Sequence, residues 1–204
     1  AAATGSAQKI KMKMLEKGNT IMTTDVITDM QLRLKSQKAA QIAGGHVSTA
    51  LRIDRLKRCI ALLEQNGDAL CDAMRRDFGH RSLDQSKMAD IDGAISPLKN
   101  AIKQVNTWMK PEKRGTLFPL NLLGGRSRIE FQPLGVVGCI SPWNFPVQLT
   151  FAPLAGILAA GNRTMIKPSE YSPETSDLMK SLIESSFDPD EMAVFTGGPD
   201  VGQA

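Results

Sequence analysis

The last third of the sequence alternates short apolar runs with amphipathic segments, and this alternation constrains the fold more than any other feature. Apolar runs at residues 136–140, 163–166 and 192–195 have the length and composition of buried strands, and helical periodicity fills the chain between them. Strands that alternate with helices pair in parallel through right-handed crossovers. Residues 135–204 therefore predict an α/β fold, namely an incomplete Rossmann-like core that is half of a doubly wound parallel sheet.

The chain before this core is predicted to be helical. Residues 25–110 carry apolar side chains at three- and four-residue steps, which is typical of amphipathic helices packed on a core. Asn66-Gly67 predicts a break between two helices, and Ser96-Pro97 predicts a kink or a division further along. We therefore expect an N-terminal helical segment that belongs to the same domain as the sheet.

Two further segments differ from the helical part. Residues 111–134 contain two extended runs separated by Gly124-Gly125, which predicts a β-hairpin and a candidate oligomer contact. Ile129 and Phe131 alternate with polar residues on the second run. Residues 1–24 lack an apolar signal core, so we expect a disordered leader, either a natural arm or a remnant of cloning.

Composition excludes several classes of function. The net charge is +4, but basic and acidic residues alternate along the helical segment as on a solvated face, and no nucleic-acid-binding motif accompanies them. No apolar stretch has the length of a membrane span. The three cysteines, Cys59, Cys71 and Cys139, form no metal-binding or disulfide pattern. We expect reduced thiols, no metal site, no nucleic-acid or membrane partner, and a cytoplasmic protein.

Ligands of open α/β sheets bind beyond the carboxyl ends of the strands. Three predicted loops occupy that position: residues 141–146, 167–171 and 196–202. The dinucleotide fingerprint G-x-G-x-x-G is absent after the first strand, and the third loop resembles a P-loop only in its glycines. Gln203 and Ala204 stand where a P-loop has its lysine and hydroxyl residue, so we reject that motif.

The segment QPLGVVGCISPWNFPVQLTFAPLAGILAAGNRTMIKPSEYSPETS closely resembles the cofactor-binding core of aldehyde dehydrogenases. The P-W-N-F-P loop, the A-A-G-N strand entry and the K-P-S-E turn occur together and in the order of that family. The resemblance extends from about Lys35 to the end of the chain, and DFGHRS and WMKP are most similar to the coniferyl aldehyde dehydrogenase branch. It implies an NAD-dependent oxidoreductase that converts an aldehyde to a carboxylic acid, with coniferyl aldehyde or another aromatic aldehyde as the candidate substrate.

The resemblance also implies roles for individual residues. Asn144 matches the asparagine that donates a hydrogen bond to the aldehyde oxygen as negative charge develops there; the structural alternative is a cap of the following helix. Lys167 and Glu170 match the pair that holds the adenine-ribose hydroxyls; the alternative is a surface ion pair. Glu170 would repel a 2′-phosphate, which favours NAD over NADP.

Other positions are implied to contact the cofactor. Gly197 and Gly202 would admit it close to the backbone, and Ser169 would contact phosphate or ribose, or else cap its own turn. The remaining residues implied to line the cofactor path lie around the end of the first strand: Ile140, Ser141, Pro142, Trp143 and Asn144.

The nucleophilic cysteine and the general-base glutamate of the family lie in downstream motifs that this sequence does not contain. We therefore expect the chain alone to be inactive and to be the N-terminal part of a longer enzyme, which the resemblance implies to be a homodimer or homotetramer. The alternative is a non-catalytic dinucleotide-binding or assembly module that associates through the hairpin.

Overall fold

The structure is a computed structural model, and it describes residues 24–204. The predicted leader therefore lies outside the described residues except for its last position. The helical part begins at residue 24, and its elements in chain order are α1 (24–44), α2 (Thr49–Phe78), α3 (Leu83–Ser86), a π-helix (Lys87–Asp92) and α4 (Gly93–Trp108). None of the helices described here is long and apolar enough to cross a membrane.

The predicted break at Asn66-Gly67 is wrong, because α2 continues through both residues. The Asn66 side chain donates to the Leu62 carbonyl of the preceding turn at 2.9 Å, so it does not compete with the helix. Gly67 lies against Ile91, and a Cβ there would stand 3.4 Å from the Ile91 Cγ2 atom. Packing therefore explains this glycine. The helix ends instead at Gly79, whose φ of 74° and N–H bond to the Arg75 carbonyl form the C-cap.

The predicted division at Ser96-Pro97 is also misplaced. The change in backbone geometry lies earlier, in the π-helix, and Pro97 lies inside α4 without ending it. Pro97 lies about one turn after the π-helix ends, where the backbone hydrogen-bonding pattern changes from π to α. The backbone N–H that proline lacks therefore interrupts α4 only slightly. The predicted apolar face of this region is confirmed: Ile91, Ile95 and Leu98 are buried.

The predicted antiparallel pair is present but shorter than the sequence indicates. Strands β1 (Glu112–Arg114) and β2 (Ser127–Ile129) pair with Glu112 opposite Ile129. Phe131 lies outside the second strand, and turns occupy residues 118–124 where an extended run was expected. The strands are short because backbone amides of this loop donate to carbonyls within the same loop. The Leu122 amide, for example, donates to the Pro119 carbonyl.

The parallel sheet is confirmed. Its strands lie in the order β3–β4–β5, with Val136 opposite Arg163 and Thr164 opposite Met192. Helices follow each strand as the alternation predicts. The bounds in chain order are β3 (Val136–Ile140), α5 (Gln148–Ala159), β4 (Arg163–Lys167), α6 (Pro173–Ser186), β5 (Met192–Val194) and α7 (Pro199–Gln203).

One face of this sheet supports the helical part of the chain. Helix α2 packs against α4, α5 and α6, so its apolar stripe closes the core between the helical segment and the sheet. On the strand side, Ile166 and Met192 are buried in the same cluster, which also contains Phe151 of α5. The long helix thereby fixes α5 and α6, and with them the loops that precede both helices.

Asp77 near the end of α2 caps the start of α6. Its carboxylate accepts from the backbone amides of Glu174 and Thr175 at 3.0 and 2.9 Å, and from the Thr175 hydroxyl at 2.7 Å. We expect Asp77→Ala to lower the free energy of unfolding by about 1–2 kcal/mol, because these amides lose their acceptor. Urea denaturation followed by circular dichroism measures the change.

The matched control for Asp77 is Asp68→Ala. Asp68 lies on the same helix, but its side chain is 94% exposed, so its replacement is expected to change the unfolding free energy by less than about 0.5 kcal/mol. Equal losses in the two variants would contradict a capping role for Asp77.

Candidate active site

The carboxyl ends of the three parallel strands bring the three predicted loops to one edge of the sheet. The Ser141 amide, just after β3, donates to the Lys167 carbonyl at the end of β4, at 3.1 Å. The Phe195 amide, just after β5, donates to the Ile166 carbonyl at 2.8 Å. The sheet hydrogen bonds thus continue to the first residue after β3 and the first residue after β5, which places the three loops side by side along this edge.

Asn144 lies in the loop between β3 and α5, and its residue is exposed. Its side-chain amide makes no hydrogen bond to any residue from 24 to 204, and α5 receives no side-chain cap from its own preceding residues. The helix-cap alternative therefore does not describe this asparagine. Its amide is free to meet a ligand, which is the condition that an oxyanion donor must satisfy.

A cavity of about 240 Å³ lies beside Asn144. Aromatic side chains form much of its wall, and the Trp143 ring centroid lies 6.3 Å from that of Phe78. The lining residues are Phe78, His80, Arg81, Gln85, Trp143, Asn144 and Phe145. Aromatic and polar side chains therefore line this recess together, and the unpaired side-chain amide of Asn144 lies at its edge.

The residues before Asn144 differ in what they can contact. Ile140 is 69% exposed and Trp143 is 51% exposed, so both apolar side chains are available to a ligand. Pro142 is exposed as well. Ser141 is buried, and its hydroxyl lies 2.7 Å from the Thr150 hydroxyl of α5. Ser141 therefore joins the loop to α5 through its side chain.

Lys167 and Glu170 form an ion pair at the end of β4. The Lys167 Nζ atom lies 2.5 Å from the Glu170 Oε2 atom, and the lysine is only 8% exposed. The hydrogen bond from Lys167 is the main cause that lowers the pKa of the Glu170 carboxyl, which therefore carries its negative charge more readily. A buried ammonium is not an ordinary surface partner. The pair can present a donor and an acceptor to adjacent hydroxyl groups.

Ser169 holds the turn between those two residues and the next helix. Its hydroxyl accepts from the Tyr171 amide at 3.2 Å, and its carbonyl accepts from the Ser176 hydroxyl at 2.9 Å. Ser169 is also buried. Of the two roles considered for it, these contacts favour the cap of its own turn.

The third loop approaches the ion pair from β5. Gly197 has a φ of 150°, and a Cβ there would stand 2.5 Å from the Val201 Cγ2 atom. The loop needs glycine at this position, because both the backbone conformation and the close Val201 exclude a side chain. At Gly202, a Cβ would stand 3.9 Å from the Lys167 Cε atom. Gly202 therefore lies directly beside Lys167.

Two residues that the sequence did not indicate, Arg81 and Asp90, support the Asn144 loop. Arg81 donates from Nη1 to the Asn144 carbonyl at 2.7 Å, and Asp90 accepts from the amides of Val147 and Gln148. Burial raises the pKa of the Asp90 carboxyl, although the Gln148 amide and Arg81 oppose that rise. The available signal was a carboxylate adjacent to Ile91 on an apolar helix face.

None of the three cysteines is placed for chemistry at this edge. All three are buried, and burial raises the pKa of the Cys59 thiol to about 12. Burial likewise raises the pKa values of the Cys71 and Cys139 thiols. Because the thiolate is the nucleophile, a thiol with a raised pKa is a poor candidate for covalent catalysis.

Comparison with known sequences identifies a family. The family model described as "Aldehyde dehydrogenase family" matches residues 4–204. A Caulobacter vibrioides protein named "Probable coniferyl aldehyde dehydrogenase" is 52% identical over 84% of this chain and 36% of its own length. "Coniferyl aldehyde dehydrogenase" from Pseudomonas sp. strain HR199 is 48% identical over 83% of this chain and 34% of its own length. The chain thus spans about a third of the length of these relatives.

Solved structures give the same result for the fold. Substrate-bound AldH of Staphylococcus aureus superposes with a TM-score of 0.78 at 29% identity, covering 85% of this chain and 37% of that protein. A mutant of the P. syringae indole-3-acetaldehyde dehydrogenase AldA, solved with NAD+ and IAA, gives a TM-score of 0.74 at 27% identity, covering 87% and 35%. On the sequence match and this shared fold, the chain belongs to the aldehyde dehydrogenase family.

Proposed function

We propose that this chain is the cofactor-binding part of a longer enzyme that oxidises an aldehyde to a carboxylic acid with NAD. The observation that carries the proposal is the meeting of an unpaired Asn144 amide and the Lys167–Glu170 pair at one edge of the sheet. The first can stabilise an oxyanion, and the second can bind a diol. Aldehyde oxidation with a bound dinucleotide needs both functions.

The cofactor would lie along the carboxyl edge, from Trp143 to the third loop. Lys167 and Glu170 would hold the hydroxyls of the adenine ribose, and Gly202 leaves space beside the lysine. NAD+ supplies the hydride acceptor when it is bound. The negative charge of Glu170 disfavours the 2′-phosphate of NADP, so the proposal is a preference for NAD. The NAD+ complex of the AldA mutant, at 27% identity, supports it.

The aldehyde substrate would approach Asn144 from the recess beside it. Phe78, Trp143 and Phe145 form an aromatic wall there, which suits an aromatic aldehyde better than a charged one. The names of the relatives at 52% and 48% identity point to coniferyl aldehyde. We propose this aldehyde, or another hydroxycinnamyl aldehyde, as the substrate of the full-length enzyme.

The direct test is a steady-state assay of the full-length protein with coniferyl aldehyde and NAD. We expect NADH to form in proportion to the aldehyde, with lower kcat/KM when NADP replaces NAD. Benzaldehyde and a short aliphatic aldehyde serve as comparison substrates. A protein that is folded and binds NAD, yet forms no NADH with any aldehyde of the panel, would overturn the proposed activity.

The 204-residue chain alone is expected to form no NADH from any aldehyde. Its three thiols are buried with raised pKa values, so each is a poor candidate for the nucleophile. The measurement is NADH absorbance with the purified chain at high protein concentration. Full-length enzyme assayed in parallel is the control, and turnover by the chain itself would contradict the expectation.

A second candidate function is a non-catalytic dinucleotide-binding or assembly module. The loop between β1 and β2 favours it, because Leu117, Phe118 and Leu123 are 80%, 78% and 79% exposed. Such a patch is typical of a docking surface. NAD binding and self-association of the full-length protein without turnover would support this alternative. For the enzyme we propose a homo-oligomer, a dimer or tetramer that covers the same loop.

We propose a cytoplasmic enzyme with a small-molecule substrate and no nucleic-acid or membrane partner. Its mixed-sign surface charge and buried reduced thiols support this setting. DNA binding with a steep dependence on salt would contradict it.

A further inference from the structure

Arg81 and Asp90 form a buried ion pair beneath the loop that carries Asn144. The Arg81 Nη2 atom lies 2.5 Å from the Asp90 Oδ2 atom, and the two side chains are 10% and 0% exposed. Arg81 belongs to the connection after α2, whereas Asp90 belongs to the π-helix. π-helical segments often occur at functional sites, because they shift a side chain relative to the α-helical register.

Asp90 holds the chain that follows Asn144. Its Oδ1 atom accepts from the amides of Val147 and Gln148 at 3.1 and 3.2 Å. These amides form the start of α5, where unpaired N–H groups and the helix dipole favour a negative charge. A carboxylate from another helix thus supplies the cap that the loop itself does not provide.

Arg81 holds Asn144 itself. Its Nη1 atom donates to the Asn144 carbonyl at 2.7 Å, while its other terminal nitrogen binds Asp90. The guanidinium carbon also lies 5.0 Å from the ring centroids of both Phe78 and Phe145. The guanidinium therefore lies near two aromatic rings and donates hydrogen bonds from both terminal nitrogens, an arrangement that the single ammonium of lysine cannot reproduce.

We propose that Arg81 and Asp90 are positioning residues for the Asn144 amide. This inference rests on the proposed function. The Asn144 side chain has no hydrogen-bond partner among residues 24–204, so its direction depends on its backbone. Arg81 fixes that backbone at Asn144, and Asp90 fixes it three and four residues later. An error of 1 Å in such a group lowers the rate about 100-fold.

The alternative is a buried ion pair that only stabilises the fold. A double-mutant cycle separates the two roles, because a positioning residue acts through Asn144 and a purely structural one does not. The variants are Arg81→Lys, Asp90→Asn and Asn144→Ala in the full-length enzyme, together with each pair that includes Asn144→Ala. Arg75→Lys is the matched control, since Arg75 lies exposed on α2.

We expect Arg81→Lys and Asp90→Asn each to lower kcat about 10- to 100-fold, with an unchanged dissociation constant for NAD. In the Asn144→Ala background, the same changes are expected to lower kcat by less than about twofold, because the amide they position is gone. Arg75→Lys is expected to leave kcat and KM unchanged. Thermal unfolding of every variant confirms that the protein is folded under the assay conditions.

Two outcomes would overturn the inference: unchanged kcat in the single variants, or equal losses with and without Asn144. Should Asp90→Asn fail to fold, Arg81→Lys alone completes the cycle, because its bond to the Asn144 carbonyl lies on the exposed side of the pair. Failure of the proposed function is a different result. In that case, the unmodified full-length protein would form no NADH from aldehydes.

Discussion

Replacing Asn144 with alanine is expected to lower kcat of the full-length enzyme by about 10²–10³-fold. The amide is unpaired in the structure and borders the aromatic recess. Without it, the negative charge that develops on the aldehyde oxygen would lose its proposed hydrogen-bond donor. The dissociation constant for NAD is expected to change much less than kcat, because Lys167 and Glu170, which are proposed to bind the adenine ribose, lie in another loop. Pre-steady-state measurement of the first NADH turnover reports this step directly.

The control for this prediction is Asn100→Ala. Asn100 lies exposed on α4, away from the strand ends, and its replacement is expected to leave both kcat and the affinity for NAD unchanged. Asn144→Asp keeps the size of the side chain but replaces the donor with a negative charge, so it should be at least as inactive as Asn144→Ala. A variant at Asn144 with normal kcat and weaker NAD binding would contradict the oxyanion role.

The parallel sheet could be predicted because its signals are local. Each strand is a short apolar run, and the glycine-containing turns between elements lie close to where the structure has them; Gly161, for example, adopts a φ of 87° at the end of α5. The Asn162 side chain then accepts from the Gly135 amide, which joins the starts of β3 and β4. Local chemistry therefore determined both the elements and their order.

The errors arose where tertiary packing overrides a local signal. Asn66-Gly67 has the composition of a turn, yet α2 continues because Gly67 makes room for Ile91 of the π-helix. That contact joins positions far apart in the sequence, so no window of residues around Gly67 contains it. The π-helix itself has no simple sequence pattern, and Pro97 predicted the change in backbone geometry at the wrong position.

The candidate site likewise has one part that the sequence indicates and another part that only the fold shows. Loops at strand ends follow from topology, whereas the resemblance to aldehyde dehydrogenases indicated Asn144, Lys167 and Glu170 within those loops. The support beneath them could not be predicted, because Asp90 reaches the Val147 amide across 57 positions of sequence. A side chain that acts on a distant backbone amide leaves no periodicity of its own. Only the fold shows that the start of α5 depends on the π-helix.

Replacing Lys167 with methionine is expected to raise the dissociation constant for NAD about 10- to 100-fold in the full-length enzyme. Hydrogen bonds to charged groups contribute about 1.5–3 kcal/mol, and this lysine is nearly buried and already oriented by Glu170. Methionine keeps most of the chain length and the packing against Gly202 but removes the donor. Isothermal titration with NAD measures the change without requiring turnover.

Glu170→Gln tests the other residue of the proposed ribose-binding pair and its effect on the preference between NAD and NADP. It keeps the shape of the side chain but removes the charge that opposes a 2′-phosphate. The affinity for NADP relative to NAD should therefore be higher than in the unmodified enzyme.

Lys99→Met is the matched control for Lys167→Met, because Lys99 forms a 2.9 Å pair with Glu64 on the exposed face of α4 and α2. If Lys167→Met and Lys99→Met bind NAD equally well, the adenine ribose is bound by other residues. If only Lys167→Met loses affinity, the edge formed by β4 and the third loop holds the ribose.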